Sequence, residues 1–134
     1  MNRYDQLMNN PVFSKLCILQ FLVAIIIYIT LLLIPEPQLG GDPQKSFLLH
    51  GLGNFLLILS TWLASGGRLK TIGPVLFVIP FSMLVELSQG LTDNRTPELI
   101  DIAANLCGIF AGMIACTIIC NPVVEKLKRI RLKD

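Results

Sequence analysis

The sequence predicts an all-α integral membrane protein, a four-helix bundle with both termini on the cytoplasmic side. Three observations predict it. Apolar residues make up 53% of the 134 residues and charged residues only 15%, a balance unlike that of a soluble domain of this length. The apolar residues gather in four runs of about 18–24 residues, each long enough to cross ~30 Å of hydrocarbon at about 1.5 Å per residue. The basic residues fall almost wholly into the segments on one side of these runs. Residues 1–134 read as one domain, without repeats, low-complexity tracts or soluble linkers.

The first run covers residues 16–34. It is too long for the apolar stretch of a cleaved signal peptide and ends in Ile34-Pro35-Glu36-Pro37 rather than a small-residue cleavage site. It reads as a retained helix that stops where the prolines cannot continue it. The second run, residues 46–64, is diluted by His50, Asn54 and two glycines. The third, residues 72–89, carries Pro74 and Pro80, and Pro80 predicts a kink inside the span. The fourth, residues 97–120, opens with Thr96-Pro97-Glu98: an N-cap, a proline at the first helical position and an acid in the first turn.

Residues 121–134 form a basic tail. Val123, Leu127 and Ile130 share one stripe there among lysines and arginines, which predicts a helix lying on an anionic leaflet; a charged stop-transfer tail accounts for the pattern equally well. Cys17, Cys107, Cys116 and Cys120 lie in or beside apolar runs with no CxxC or Cys/His spacing. They read as small hydrophobes, with no disulfide framework, metal site or other cofactor implied.

Orientation follows from lysine and arginine. Arg3 and Lys15 precede the first run, Arg68 and Lys70 separate the second from the third, and Lys126, Lys128, Arg129, Arg131 and Lys133 follow the fourth. Four crossings place these nine on one side, against Lys45 and Arg95 on the other. The expected arrangement is N-in and C-in.

That arrangement brings six polar residues to one depth near the outer leaflet. His50 opens the second span, Glu86 and Gln89 close the third, Arg95 lies in the following loop, and Asp101 and Asn105 open the fourth. Ser82, Glu86 and Gln89 share a helical face, as do Asp101, Asn105, Gly108 and Gly112. An aspartate at a helix centre costs roughly 2.5–3.5 kcal/mol on insertion scales, so these side chains are expected to face the bundle interior or a wet pocket. Arg95 is the expected counter-charge for Glu86 or Asp101. Asn54 reads as a packing residue. Ala104, Gly108, Gly112, Cys116 and Cys120 recur every four residues and predict a face for close helix packing.

His50, Glu86-x-x-Gln89 and Arg95-x5-Asp101-x3-Asn105-x2-Gly108, followed by Gly112, together resemble the VanZ-like family of small bacterial membrane proteins. The resemblance covers residues 45–112. It implies a helical protein of the bacterial cell envelope, in the cytoplasmic membrane, with His50, Glu86, Gln89, Arg95, Asp101 and Asn105 as signature positions. The family's namesake is associated with teicoplanin resistance, and the family's biochemical activity is poorly defined. One departure stands out: an Asp-Lys pair common just before the histidine is replaced by Ser46 and Phe47.

The reading preferred from these residues is a non-catalytic protein whose cluster binds a lipid-linked or phosphate-bearing ligand, or a membrane partner that includes a second copy of the chain. Arg95 would meet phosphate while Gln89 and Asn105 supply amide hydrogen bonds. An intramembrane hydrolase or transferase acting on a lipid phosphate is the alternative, with His50, Glu86 and Asp101 as acid–base groups. A purely structural assembly subunit is the third. The bilayer is the expected environment, and nothing implies nucleic acid.

Overall fold

In the computed structural model, residues 2–32, 43–91 and 99–130 are described. They are helical apart from short turns. A short helix α1 (Arg3–Asn9) precedes α2 (Pro11–Leu32), α3 (Pro43–Ala64), α4 (Ile72–Gln89) and α5 (Leu99–Ala115). A π-helical turn over Cys116–Cys120 joins α5 to α6 (Asn121–Arg129). Among the described residues, four helices are long and apolar enough to cross a membrane, the last running unbroken from Leu99 to Arg129. The 22 residues of α2 and of α3 correspond to about 33 Å of helix.

The α2 helix begins at Pro11, five residues ahead of the start expected from hydropathy, because the local capping signals are strong. Asn10 Oδ1 accepts from the Val12 and Phe13 amides at 2.9 and 3.2 Å, and Pro11 occupies the first helical position, where its missing N–H costs nothing. The α4 helix occupies the expected residues and continues through Pro80. The Thr96 cap, Pro97 and Glu98 lie outside the described residues.

The molecule is turned inside out relative to a soluble bundle. Ile26, Leu48, Leu76, Leu84 and Phe110 are exposed on the outer faces, while Ser46, His50, Asn54, Glu86, Gln89, Asp101 and Asn105 are buried. Apolar exteriors over a polar interior suit hydrocarbon as the surrounding solvent. The buried residues of α2, namely Cys17, Tyr28 and Leu32, form a single stripe, flanked by Phe21, Ile25 and Ile29, which pack partly buried against the core.

The α3 helix is central and touches α2, α4 and α5. Its closest neighbour is α5, whose Ala104, Gly108 and Gly112 are buried, as is Cys116 at the start of the π-helical turn. A methyl group on Gly108 would overlap the Gly51 carbonyl oxygen and stand 2.8 Å from its carbon, and one on Gly112 would stand 2.8 Å from the Cβ of Ile58. The two backbones therefore meet without intervening side chains.

The π-helical turn has a local cause. Pro122 follows it, and in an α-helix the proline ring would strike the carbonyl four residues back. Widening the turn relieves this: the Asn121 amide bonds the Cys116 carbonyl, five residues back. Beyond it, α6 turns Val124 inward and leaves Val123 at 53% exposure. Val124 is thus the buried residue of α6, while Val123 of the expected Val123, Leu127 and Ile130 stripe faces away from the bundle.

The ends opposite the polar cluster are tied together. The Arg3 amide bonds the Ile130 carbonyl at 3.1 Å, and the Tyr4 hydroxyl donates to the Gly66 carbonyl at 2.6 Å. Trp62 Nε1 donates to Asn121 Oδ1 at 3.0 Å, and the Asn121 amide donates to Thr71 at 3.1 Å. So α1, the α3–α4 turn and α6 share one end of the bundle.

The packing predicts a contrast between neighbouring glycines. Gly108→Ala is expected to destabilise the protein by about 1–3 kcal/mol through overpacking against rigid backbone. Gly51→Ala, whose added carbon would sit 3.5 Å from the Ala104 carbonyl oxygen, is expected to change stability far less. Thermal unfolding in detergent measures both.

Candidate functional site

Three spans set their polar residues at one level, and a fourth adds a hydroxyl. The α3 helix presents Ser46, His50 and Asn54 at intervals of four, on one face. From α5 come Asp101 and Asn105; from α4, Ser82, Glu86 and Gln89; from α2, the Tyr28 hydroxyl. His50 and Asn54 are fully enclosed at 0% exposure, whereas Glu86 and Asn105 retain 7% each.

His50 lies at the centre. On one edge of its ring, Nε2 is 3.7 Å from Asp101 Oδ2, and the other oxygen of that carboxylate accepts from Ser46 Oγ at 3.0 Å. On the opposite edge, Nδ1 is 3.0 Å from Asn105 Oδ1 and 3.7 Å from Glu86 Oε2. An amide oxygen only accepts, so the hydrogen-bond network assigns a hydrogen to Nδ1. Nε2 then faces Asp101.

Asn105 is the hub. Its Oδ1 also accepts from Asn54 Nδ2 at 2.7 Å, and its own Nδ2 points to Glu86 Oε2 at 3.5 Å. Asn54 Nδ2 is also 2.9 Å from the Tyr28 hydroxyl and 2.9 Å from the His50 carbonyl. Tyr28 in turn lies 3.0 Å from Ser82 Oγ. Gln89 donates to the Leu32 carbonyl at the end of α2. These links answer most of the need that burial imposes where water is excluded; Asn54 Oδ1 has no hydrogen-bond partner among the described residues.

The network reaches the outer surface between α4 and α5. Between α4 and α5 is a groove of about 240 Å³, with Ser82, Glu86 and Asn105 at its base and Ile79, Met83, Leu106 and Ile109 among its walls. Met83 and Leu106 are 61% and 55% exposed, so the groove opens sideways, toward lipid. His50 and Asp101 stand behind Glu86 and Asn105, out of its reach.

Of the six residues singled out in the sequence, five converge here, and Arg95 lies outside the described residues. Ser46, Tyr28 and Asn54 are participants that the sequence reading passed over or took for packing. Ser46 and Asn54 had a signal, since each is four residues from His50. Tyr28 had none, being a lone hydroxyl in an apolar helix. Among the described residues, no three histidine, cysteine or acidic side chains converge as metal ligands. The two carboxylates meet opposite edges of the imidazole, so one ion cannot take all three.

Comparison with family models, characterised proteins and solved structures finds no match. What the fold and this interior define is a class: a multi-pass helical membrane protein with a buried polar network.

Asn105→Leu is expected to remove the acceptor that His50 Nδ1 and Asn54 Nδ2 share and to destabilise the protein by about 1–3 kcal/mol. Ser88→Ala removes only an exposed bond within its own helix and is expected to stay within about 0.5 kcal/mol of the parent. Apparent melting temperatures of the two variants check this.

Proposed function

We propose that the protein binds a membrane amphiphile whose tail lies in the α4–α5 groove and whose polar head meets Glu86 and Asn105. The observation that carries this is the groove itself. It is apolar along its walls, polar at its base and open to the bilayer. Its volume of about 240 Å³ lies below the roughly 300–1,000 Å³ of a site for a compact drug-sized ligand, and it suits a single acyl or polyprenyl chain. Arg95, in the connection between α4 and α5, is the cation proposed to meet a phosphate on the same ligand.

On this reading the protein is a VanZ-like component of the bacterial cell envelope, held N-in and C-in in the cytoplasmic membrane. The excess of lysine and arginine at the end that carries α1, the α3–α4 turn and α6 supports that orientation. The motif built on His50, Glu86, Gln89, Asp101 and Asn105 supports the family. A lipid-linked wall precursor would reach the groove from the outer leaflet, which offers a route to a role in glycopeptide resistance.

A second reading rests on a separate observation, the carboxylate–imidazole–carboxylate line from Asp101 through His50 to Glu86. Such a line can pass a proton between a buried acid and a group at the groove, which would suit a hydrolase or transferase acting on the same lipid.

Photo-crosslinking separates these outcomes. Protein in liposomes doped with a diazirine-tailed phospholipid is expected to label α4 and α5 beside the groove, and Ile109→Trp, which fills it, is expected to reduce that labelling at least about fivefold. Labelling spread evenly over the outer faces of α2 and α4 would sink the binding proposal. His50→Gln keeps a hydrogen-bonding amide but transfers no proton, so it is expected to spare labelling and to abolish turnover only if the proton-transfer reading holds.

A further inference from the structure

A second cavity lies at the opposite end of the bundle, beyond Ala64 at the end of α3, about 21 Å along that helix from His50 at ~1.5 Å per residue. It is larger than the groove, about 640 Å³, and α1, the α3–α4 turn and α6 enclose it. Its charged lining is Asp5, Arg68, Lys70, Glu125 and Lys128. The ligand chemistry depends on which of these charges are already engaged.

Glu125 is paired with Lys128 at 3.0 Å, and the Lys128 ammonium also sits 5.2 Å from the centre of the Tyr4 ring. Asp5 stands in the first turn of α1, where a carboxylate is stabilised by the helix dipole. Arg68 and Lys70 have no carboxylate within ion-pair distance among the described residues. Two cations therefore remain for something else.

The turn that carries them is held in an unusual shape. Gly66 and Gly67 have φ of +63° and +71°, and an added methyl would strike Met8 at the first and Trp62 at the second. Lys70 itself has φ 47°, in the left-handed region that L side chains seldom adopt. The tight turn sets Arg68 and Lys70 together at the cavity rim. Beside them, Leu7, Leu69 and Ile72 are exposed at 40%, 53% and 62%. Cations over a cavity with aliphatic side chains alongside match the two halves of a lipid at the edge of the hydrocarbon.

We propose that this cavity binds the phosphate of an anionic phospholipid headgroup, with Arg68 and Lys70 as its ligands and the acyl chains lying along Leu69 and Ile72. The site is separate from the α4–α5 groove and stands or falls independently of it. It is also distinct from diffuse attraction of a basic surface, because Lys126 and Arg129 carry equal charge on α6 yet lie outside the cavity lining.

Native mass spectrometry of the full chain, purified in detergent with added phosphatidylglycerol or phosphatidylcholine, tests it. The parent protein is expected to retain phosphatidylglycerol preferentially. Arg68→Gln with Lys70→Gln is expected to lower that retention about 30-fold, in line with roughly 1 kcal/mol for each of the two basic residues at an anionic surface. Lys126→Gln with Arg129→Gln, the same loss of charge, is expected to change it less than about twofold. Equal losses in the two pairs overturn the site in favour of diffuse charge. Stabilisation by inorganic phosphate, with no discrimination between the two lipids, overturns the lipid as the source of the phosphate. Lys70→Gly removes the cation while easing the backbone, so lost lipid together with an unchanged or raised melting temperature rules out misfolding as the cause.

Discussion

The approach of α3 to α5 at Gly51 and Gly108 is the contact on which the polar interior depends. Asparagine and aspartate side chains are short. Asn105 meets both His50 and Asn54, and Asp101 meets Ser46 and His50, only because the two backbones come together with no side chain between them. Gly53 extends the same arrangement toward α2, since a methyl there would lie 2.9 Å from the Tyr28 ring. The absence of side chains at these positions brings α2, α3 and α5 close enough for Tyr28, Asn54 and Asn105 to share hydrogen bonds.

That closeness comes with an asymmetry. The α4 helix contributes Glu86 and Gln89 to the network, yet it meets α5 less intimately than α3 does, and the groove is the consequence. Two acids in a bilayer are costly unless paired or hydrogen-bonded, and Ser46 and Asn105 donate to Asp101 and Glu86 respectively. The buried acid, Asp101, is braced by a serine and a histidine. The outer acid, Glu86, borders the groove. One network thus contains an enclosed half and a half that borders the groove.

The two ends of the bundle are built for different environments. At one end the polar groups are internal and the outside is aliphatic. At the other, basic residues face outward around α1, the α3–α4 turn and α6, while Trp62, Asn121 and Thr71 bind the helices beneath them. The π-helical turn before Pro122 lets one continuous helix serve both ends, its upper part lining the cluster and its lower part closing the basic cavity.

Much of this was legible in the chain. Helix length, apolar run and the spacing of polar residues are local properties, so four helices long and apolar enough to span a membrane, the stripe of Asp101, Asn105, Gly108 and Gly112, and the common level of His50 and Glu86 followed from reading along it. The earlier start of α2 was written in Asn10 and Pro11 but hidden by a reading based on hydropathy. Tyr28 was invisible, because one hydroxyl in an apolar helix has no period. What only the tertiary structure decided is which atoms meet: Asp101 at one edge of His50, Glu86 and Asn105 at the other, and a gap between α4 and α5. Those outcomes depend on the distance between helices and the rotation of each about its axis. The pattern of a single helix specifies which face is buried but not what stands opposite it.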